Sequence, residues 1–291
     1  MLKDTKANKI FLIAVISILA ILFSMDFVWQ KSGKENRSEQ TYSLSASDSV
    51  KIHTVSNDIV LAVDPQAKEA LVSIGQNDKA SLKVVKNGKE LSIVVSPLSR
   101  GFLRFFNSPG TPLLVTLPQV LFEQLEIKTT SGDILFMQDF EARKILAGSI
   151  SGSVDMLNLI ANEDLSIKTI SGDISGYSAK SGSQLTLAST SGDLEVDSLE
   201  GKNISLKTIS GNIEGRAHIL PQGSLEGSST SGNVELDLSM TENLDIRATK
   251  VSGDILFNSQ KQAGSPAIAT TGQKNIVVKL STISGDLDIR F

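Results

Sequence analysis

Leu125-Glu126-Ile127-Lys128-Thr129-Thr130-Ser131-Gly132-Asp133-Ile134 holds the phrase on which the fold turns, because the chain repeats it. Ser-Gly followed by a small polar residue and an aliphatic one returns at Ser151, Ser171, Ser191, Ser210, Ser231, Ser252 and Ser284. These serines are spaced 20, 20, 20, 19, 21, 21 and 32 residues apart. A fixed period in this range marks a solenoid. The long last step implies an insertion, and the polar tract 258–275 supplies it.

Alignment on the serine shows what a copy contains. Six residues earlier stand Leu125, Ile145, Leu165, Leu185, Ile204, Leu225, Ile246 and Val278, and three residues later stand Ile134, Val154, Ile174, Leu194, Ile213, Val234, Ile255 and Leu287. Apolar and polar residues alternate on both sides of the phrase, the signature of half-buried strands. No copy has room for a crossover helix. The expected fold is all-β: a parallel β-helix of about 20-residue coils, stacked about 4.8 Å apart.

The corner invites two readings. A recurring Gly marks a positive φ or a position too crowded for a Cβ. Asp or Asn beside it suits a turn. Ser, and the Ser or Thr two places before it (Thr129, Ser149, Thr169, Ser189, Thr208, Ser229, Thr282), share parity with the buried positions and are expected to stack their hydroxyls. The aligned Asp133, Asp173, Asp193, Asp254 and Asp286 also raise a calcium ladder. The nine-residue phrase of calcium-binding β-rolls is absent, and Ser153, Asn212 and Asn233 interrupt the column.

Around the repeats, residues 1–9 read as a short tail, 10–29 as a transmembrane anchor, 30–41 as a linker, 42–120 as a β-rich cap and 121–291 as the repeat β-helix. Ile10–Trp29 is almost wholly apolar and, at 1.5 Å per residue, spans about 30 Å, the thickness of the hydrocarbon core. It exceeds the h-region of a cleaved signal, and no Ala-x-Ala site follows. Lys3, Lys6 and Lys9 precede it and Lys31, Lys34 and Arg37 follow it, a near tie that the free terminus tips toward a cytoplasmic N-terminus and an extracytoplasmic body. The chain has no Cys, so a lipoprotein anchor is excluded. Asn87-Gly88 signals a hairpin. The stretch 101–110, with Phe102, Leu103, Phe105 and Phe106, either plugs the rod's near end or forms an exposed loop. The rod's far end is expected at Leu287–Ile289, with the insertion folding over it or a partner docking there.

Leu113–Pro118 and the phrase quoted first resemble the entry to the putative-adhesin β-strand-repeat family, a domain of unknown function that includes LiaG-like proteins of bacterial envelope-stress operons. The resemblance covers residues 42–291. It implies a binding or structural role at the cell envelope, without established enzymatic activity and without catalytic residues to carry over.

The rest of the chemistry agrees. His53 and His218 lack metal-ligand spacing, and nucleophile elbows and phosphate loops are missing. No residue set is assigned a catalytic, cofactor-binding or metal role, and no cofactor is expected. With 28 basic against 32 acidic residues, a net charge of −4, two Tyr and one Trp, nucleic acid is disfavoured. The expected partners are the bilayer, through residues 10–29, and an envelope protein or glycan. The alternative is a carbohydrate-active lyase or hydrolase on the same scaffold. Its best carboxylate row is Asp155, Glu195, Glu214, Glu235 and Asp288, whose plainer role is solubility.

Overall fold

The computed structural model describes residues 37–75, 80–97 and 111–291. The apolar segment 10–29 and the Phe-rich stretch 101–110 lie outside them. The described residues form twenty strands and no helix. Eight open the chain: β1 (Arg37–Ser43), β2 (Ser49–His53), β3 (Ile59–Asp64), β4 (Glu69–Gly75), β5 (Ala80–Asn87), β6 (Glu90–Pro97), β7 (Leu113–Pro118) and β8 (Phe122–Thr129). Five long ones follow: β9 (Ile134–Ser149), β10 (Val154–Thr169), β11 (Ile174–Ala188), β12 (Leu194–Lys207) and β13 (Ile213–Ser231). The last seven are β14 (Val234–Asp237), β15 (Leu244–Ser252), β16 (Ile255–Phe257), β17 (Gln260–Lys261), β18 (Ala267–Thr270), β19 (Ile276–Ser284) and β20 (Leu287–Arg290).

The long strands pair in parallel, β9 to β10 to β11 to β12 to β13, with a register of one repeat (Val154 with Ile134 and Ile174). Each serves two faces of the solenoid. Its first residues follow the Ser-Gly corner, and its last residues lead to the next one. Register shifts between Met156 and Asn158 and between Ala161 and Asp164 let the strand bend from one face to the other. The inward residues of both faces meet in one core; Leu125, Ile127, Ile134, Ile145, Leu165, Ile174 and Leu185 are all buried. Each such side chain contributes about 1.5–3 kcal/mol by leaving water.

The coils do not stack in chain order at the ends. On one face β2 lies between β6 and β8; on the other β3 lies between β7 and β9. The second coil of the chain, β6 and β7, is therefore outermost. At the far end β19 sits between β13 and β15, and β20 between β14 and β16. The coil that ends the chain is thus threaded between its two predecessors. This corrects the expectation that Leu287–Ile289 forms the far end: Leu244–Phe257 does. The insertion supplies two strands that pair antiparallel on that outer coil, β18 on β15 and β17 on β16. At the near end β5 pairs antiparallel on β6, and β4, followed by β1, on β7. Antiparallel strands at both ends stop the parallel stack, and edges that would otherwise continue it are covered.

Two expectations about the corner change. The serines are exposed (Ser131, Ser151, Ser171, Ser191, Ser210), and the following Gly takes the inward place. The glycines are needed for space more than for dihedrals: a Cβ on Gly192 would lie 2.0 Å from the Gly172 carbonyl oxygen, and one on Gly152 would lie 1.9 Å from that of Gly132. Among the corner glycines, positive φ occurs only in the two coils at the far end, at Gly253 (φ 106) and Gly285 (φ 153). Gly182, which lies off the register of the repeated phrase, is equally crowded, with the Asn162 carbonyl oxygen 2.2 Å from its Cβ position.

Candidate functional site: the flank of the solenoid

The corner is built from two hydrogen-bonded columns. The inner one is the buried Ser/Thr column. Gly152 N donates to Ser149 Oγ (2.7 Å) and Gly192 N to Ser189 Oγ (2.8 Å), within one coil. The same hydroxyls donate to the Gly carbonyl of the coil before: Ser149 to Gly132 O (3.1 Å), Ser189 to Gly172 O (3.1 Å), Thr208 to Gly192 O (3.0 Å) and Ser229 to Gly211 O (2.9 Å). A hydroxyl can donate and accept at once, so one small side chain satisfies two backbone groups that the turn would leave orphaned inside. Only Thr54 to Thr129 and Thr169 to Ser189 bond hydroxyl to hydroxyl, each at 2.9 Å.

The outer column explains the residue after Gly. Its side-chain oxygen accepts the backbone N–H of the same residue one coil on. The chain of bonds runs from Asp58 Oδ1 to Asp133 N (3.0 Å), Asp133 to Ser153 (2.9 Å), Ser153 Oγ to Asp173 (3.3 Å) and Asp173 to Asp193 (2.9 Å). It continues from Asp193 to Asn212 (2.6 Å), Asn212 to Asn233 (3.0 Å), Asn233 to Asp286 (2.8 Å) and Asp286 to Asp254 (2.7 Å). Asp, Asn and Ser interchange because each offers an acceptor oxygen to that N–H, and the shorter Ser153 side chain makes the longest bond of the column. The order Asn233, Asp286, Asp254 repeats the threading of the last coil. Among the described residues no group of three His, Cys, Asp or Glu side chains could hold a metal ion.

Outside these columns the corner presents two uncharged rows. One is serine. The other is β-branched throughout: Val55, Thr130, Ile150, Ile170, Thr190, Ile209, Thr230, Ile283 and Val251 in spatial order, with the aliphatic members standing out into solvent. At about 4.8 Å per coil this stripe is about 38 Å long.

The carboxylate row lies one residue beyond the inward aliphatic that follows the corner. The register aligns Asp155, Ser175, Glu195 and Glu214, then Glu235 and Asp288. Burial pushes the Asp155 carboxyl above its ordinary value, against the Ser175 hydroxyl that donates to it. Burial also raises Glu195, and the charge of Glu214 adds to it. Asp288 is raised by burial and by Glu235, and its Oδ1 is buried without a hydrogen bond among the described residues. The histidines do not meet: His53 lies 3.7 Å from Glu126 and His218 3.7 Å from Glu200.

These features define an all-β repeat protein whose recurring polar residues serve the stacking of its own backbone. The chain belongs to the Toastrack DUF4097 family, whose model matches residues 48–290. It is similar to crystal structures of a putative adhesin from Bacteroides fragilis (13% identity, 89% of this chain and 98% of that one, TM-score 0.46) and of another from Parabacteroides distasonis (11%, 88% and 98%, TM-score 0.49). A putative lipid binding protein from Parabacteroides distasonis is similar at 18% identity, over 88% and 98%, with a TM-score of 0.46. No curated protein matches the chain.

Proposed function

We propose that the protein is a non-enzymatic binding element of the cell envelope. Residues 10–29 anchor it in the membrane with the N-terminus cytoplasmic, the spacer expected over 30–41 shortens to 30–36 because Arg37–Ser43 is strand β1, and the solenoid is displayed outside. The observation that carries the binding role is the corner: its recurring carboxylates are spent on backbone N–H groups, while a long uncharged row of Ile, Val and Thr is left facing solvent. An exposed row that carries Ile and Val side chains along its length is a surface for a partner. The anchor rests on the length and apolarity of Ile10–Trp29.

Membrane fractionation with an alkaline carbonate wash tests the anchor. The full-length protein stays in the membrane, and protease added to intact cells degrades the body. A shortened soluble form, or a body protected from the protease, contradicts the reading.

Asp155 and Glu195 favour the second reading, a carbohydrate-active enzyme, because a general acid needs a raised pKa. Asp155, Glu195 and Asp288 are all raised, however, whereas a glycosidase separates its two carboxylates into acid and base. Release of new reducing ends from a polysaccharide, abolished in Glu195→Gln, would establish the enzyme.

A further inference from the structure

The bend opposite the corner carries chemistry that the stacking does not use. There the register aligns Asp139, Asn158, Ser178 and Ser198 in one row on successive coils. They line an open depression of about 370 Å³ together with Tyr177 and Lys180, a volume within the range of small-ligand sites. Asn158 Nδ2 donates to Asp139 Oδ1 at 2.5 Å, which fixes the amide and leaves its own oxygen turned to accept. Lys180 leans toward Glu200 at 3.5 Å. Tyr177 is half exposed, the one Phe or Tyr ring so exposed among the described residues.

Ser178 adds a hydroxyl to the same lining. It is 94% buried, since its relative exposure is 6%. Its hydroxyl has no hydrogen-bond partner among the described residues, yet it lines the depression. Its Oγ is not sealed from solvent, since the buried side-chain atoms without a partner among the described residues are Ser73 Oγ and Asp288 Oδ1. It opens into the depression, where it can exchange solvent for a ligand group.

We infer that this depression is a saccharide subsite, taking one ring of a neutral glycan that lies along the flank. The inference rests on the binding role proposed above and names its ligand class. A sugar ring has an apolar face and a rim of hydroxyls, and the depression offers the complement of each. The Tyr177 ring is a platform for the apolar face. Asp139 and the Asn158 carbonyl accept from ring hydroxyls; Lys180 and the Ser178 hydroxyl donate to ring oxygens. The Asp139 carboxylate makes the site unsuited to an anionic ligand. The open shape suits a polymer approached from the side, with neighbouring rings extending past Ser198 and Asp139.

The chain has two tyrosines, so ring-labelled tyrosine gives two sets of NMR signals, and Tyr42→Phe assigns them. The full-length protein, in a zwitterionic detergent without a sugar headgroup, is titrated with the hexamers of β-1,4-linked N-acetylglucosamine and of β-1,4-linked glucose. The expected result is a saturable shift of the Tyr177 signals with at least one hexamer, while Tyr42 stays still. Tyr177→Ala weakens binding at least about tenfold and Ser178→Ala about threefold, while Tyr177→Phe keeps the stacking and most of the affinity. The inference is overturned if neither hexamer shifts Tyr177, or if Tyr177→Ala binds as the unaltered protein does. Binding of isolated cell envelopes, measured on the same variants, separates the two levels. Unchanged envelope binding by Tyr177→Ala removes this subsite and leaves the envelope role, whereas no envelope binding by the unaltered protein removes that role.

Discussion

The two turns of each coil are built by opposite rules. At the Ser-Gly corner, every coil from Thr129 to Ser231 repeats the same small set of residues, and the Ser/Thr and Asp/Asn columns bond the coil above or below. At the opposite bend the residues differ from coil to coil: Asp139, Asn158, Ser178 and Ser198 share a row with Arg216. Repetition is what stacking requires, because each position meets its own copy one coil away. Variation is possible where the side chains face solvent and stacking asks little of them. The conspicuous phrase therefore marks structure, and the inconspicuous bend has the freedom to bind.

If that division holds, substitutions should cost most at the corner. Gly192→Ala puts a methyl 2.0 Å from a backbone oxygen that can move only by separating two coils. A loss of at least about 3 kcal/mol is expected in denaturant unfolding. Gly264→Ala, whose nearest neighbour would be 3.9 Å away, should change stability by less than about 1 kcal/mol. Comparable losses at both would remove the close-approach account of the corner.

Ser189→Ala should come next. It strips a partner from Gly192 N, from Gly172 O and from the Thr169 hydroxyl, for about 1–3 kcal/mol. Ser189→Thr should recover most of it, since Thr208 and Thr169 occupy the same column.

A smaller effect of opposite sign is expected from the carboxylate row. Because burial raises Asp155 in the folded state, the fold binds its proton more tightly than the unfolded chain does. Its contribution is full below the ordinary aspartate pKa and is lost as pH rises through the raised value. Asp155→Asn should therefore raise the melting temperature at pH 7, with the gain vanishing in acid. A variant less stable than the parent at pH 7 would show that the Ser175 hydrogen bond outweighs the burial. Smallest of all should be Tyr177→Ala, within about 1 kcal/mol of the parent in urea unfolding, because the ring is half exposed. A core-sized loss there would make the bend structural after all.

The sequence makes the middle of this architecture plain. Period-two alternation on either side of Ser171 and Ser191 specifies which residues face inward, and the 20-residue step specifies their register. The ends are less legible for a physical reason. Every coil carries the same phrase, so Ser231 can stack on Ser252 or on Ser284 with equal local chemistry. Only the 32-residue gap hints that something intervenes. The parity of the serines is hidden as well, because the turn inserts two consecutive outward residues, such as Ile170 and Ser171, into an otherwise strict alternation. The anchor and the Phe-rich stretch are legible only as composition. At the bend, Ser178 looks like any serine until its burial is known.

The order of the coils at the far end can be read directly, because the chain has no cysteine to interfere. Ser231 pairs with Ser284, and Ser284 with Ser252, all three exposed at the corner. Neighbouring coils bring Cα atoms to about 4.8 Å, within reach of a disulfide, whereas alternate coils, at about 9.6 Å, are beyond it. Under mild oxidation the double variant Ser231→Cys with Ser284→Cys should form an intramolecular disulfide, and Ser231→Cys with Ser252→Cys should not. A disulfide between 231 and 252, with none between 231 and 284, would mean that the coils stack in chain order and would contradict the threaded end.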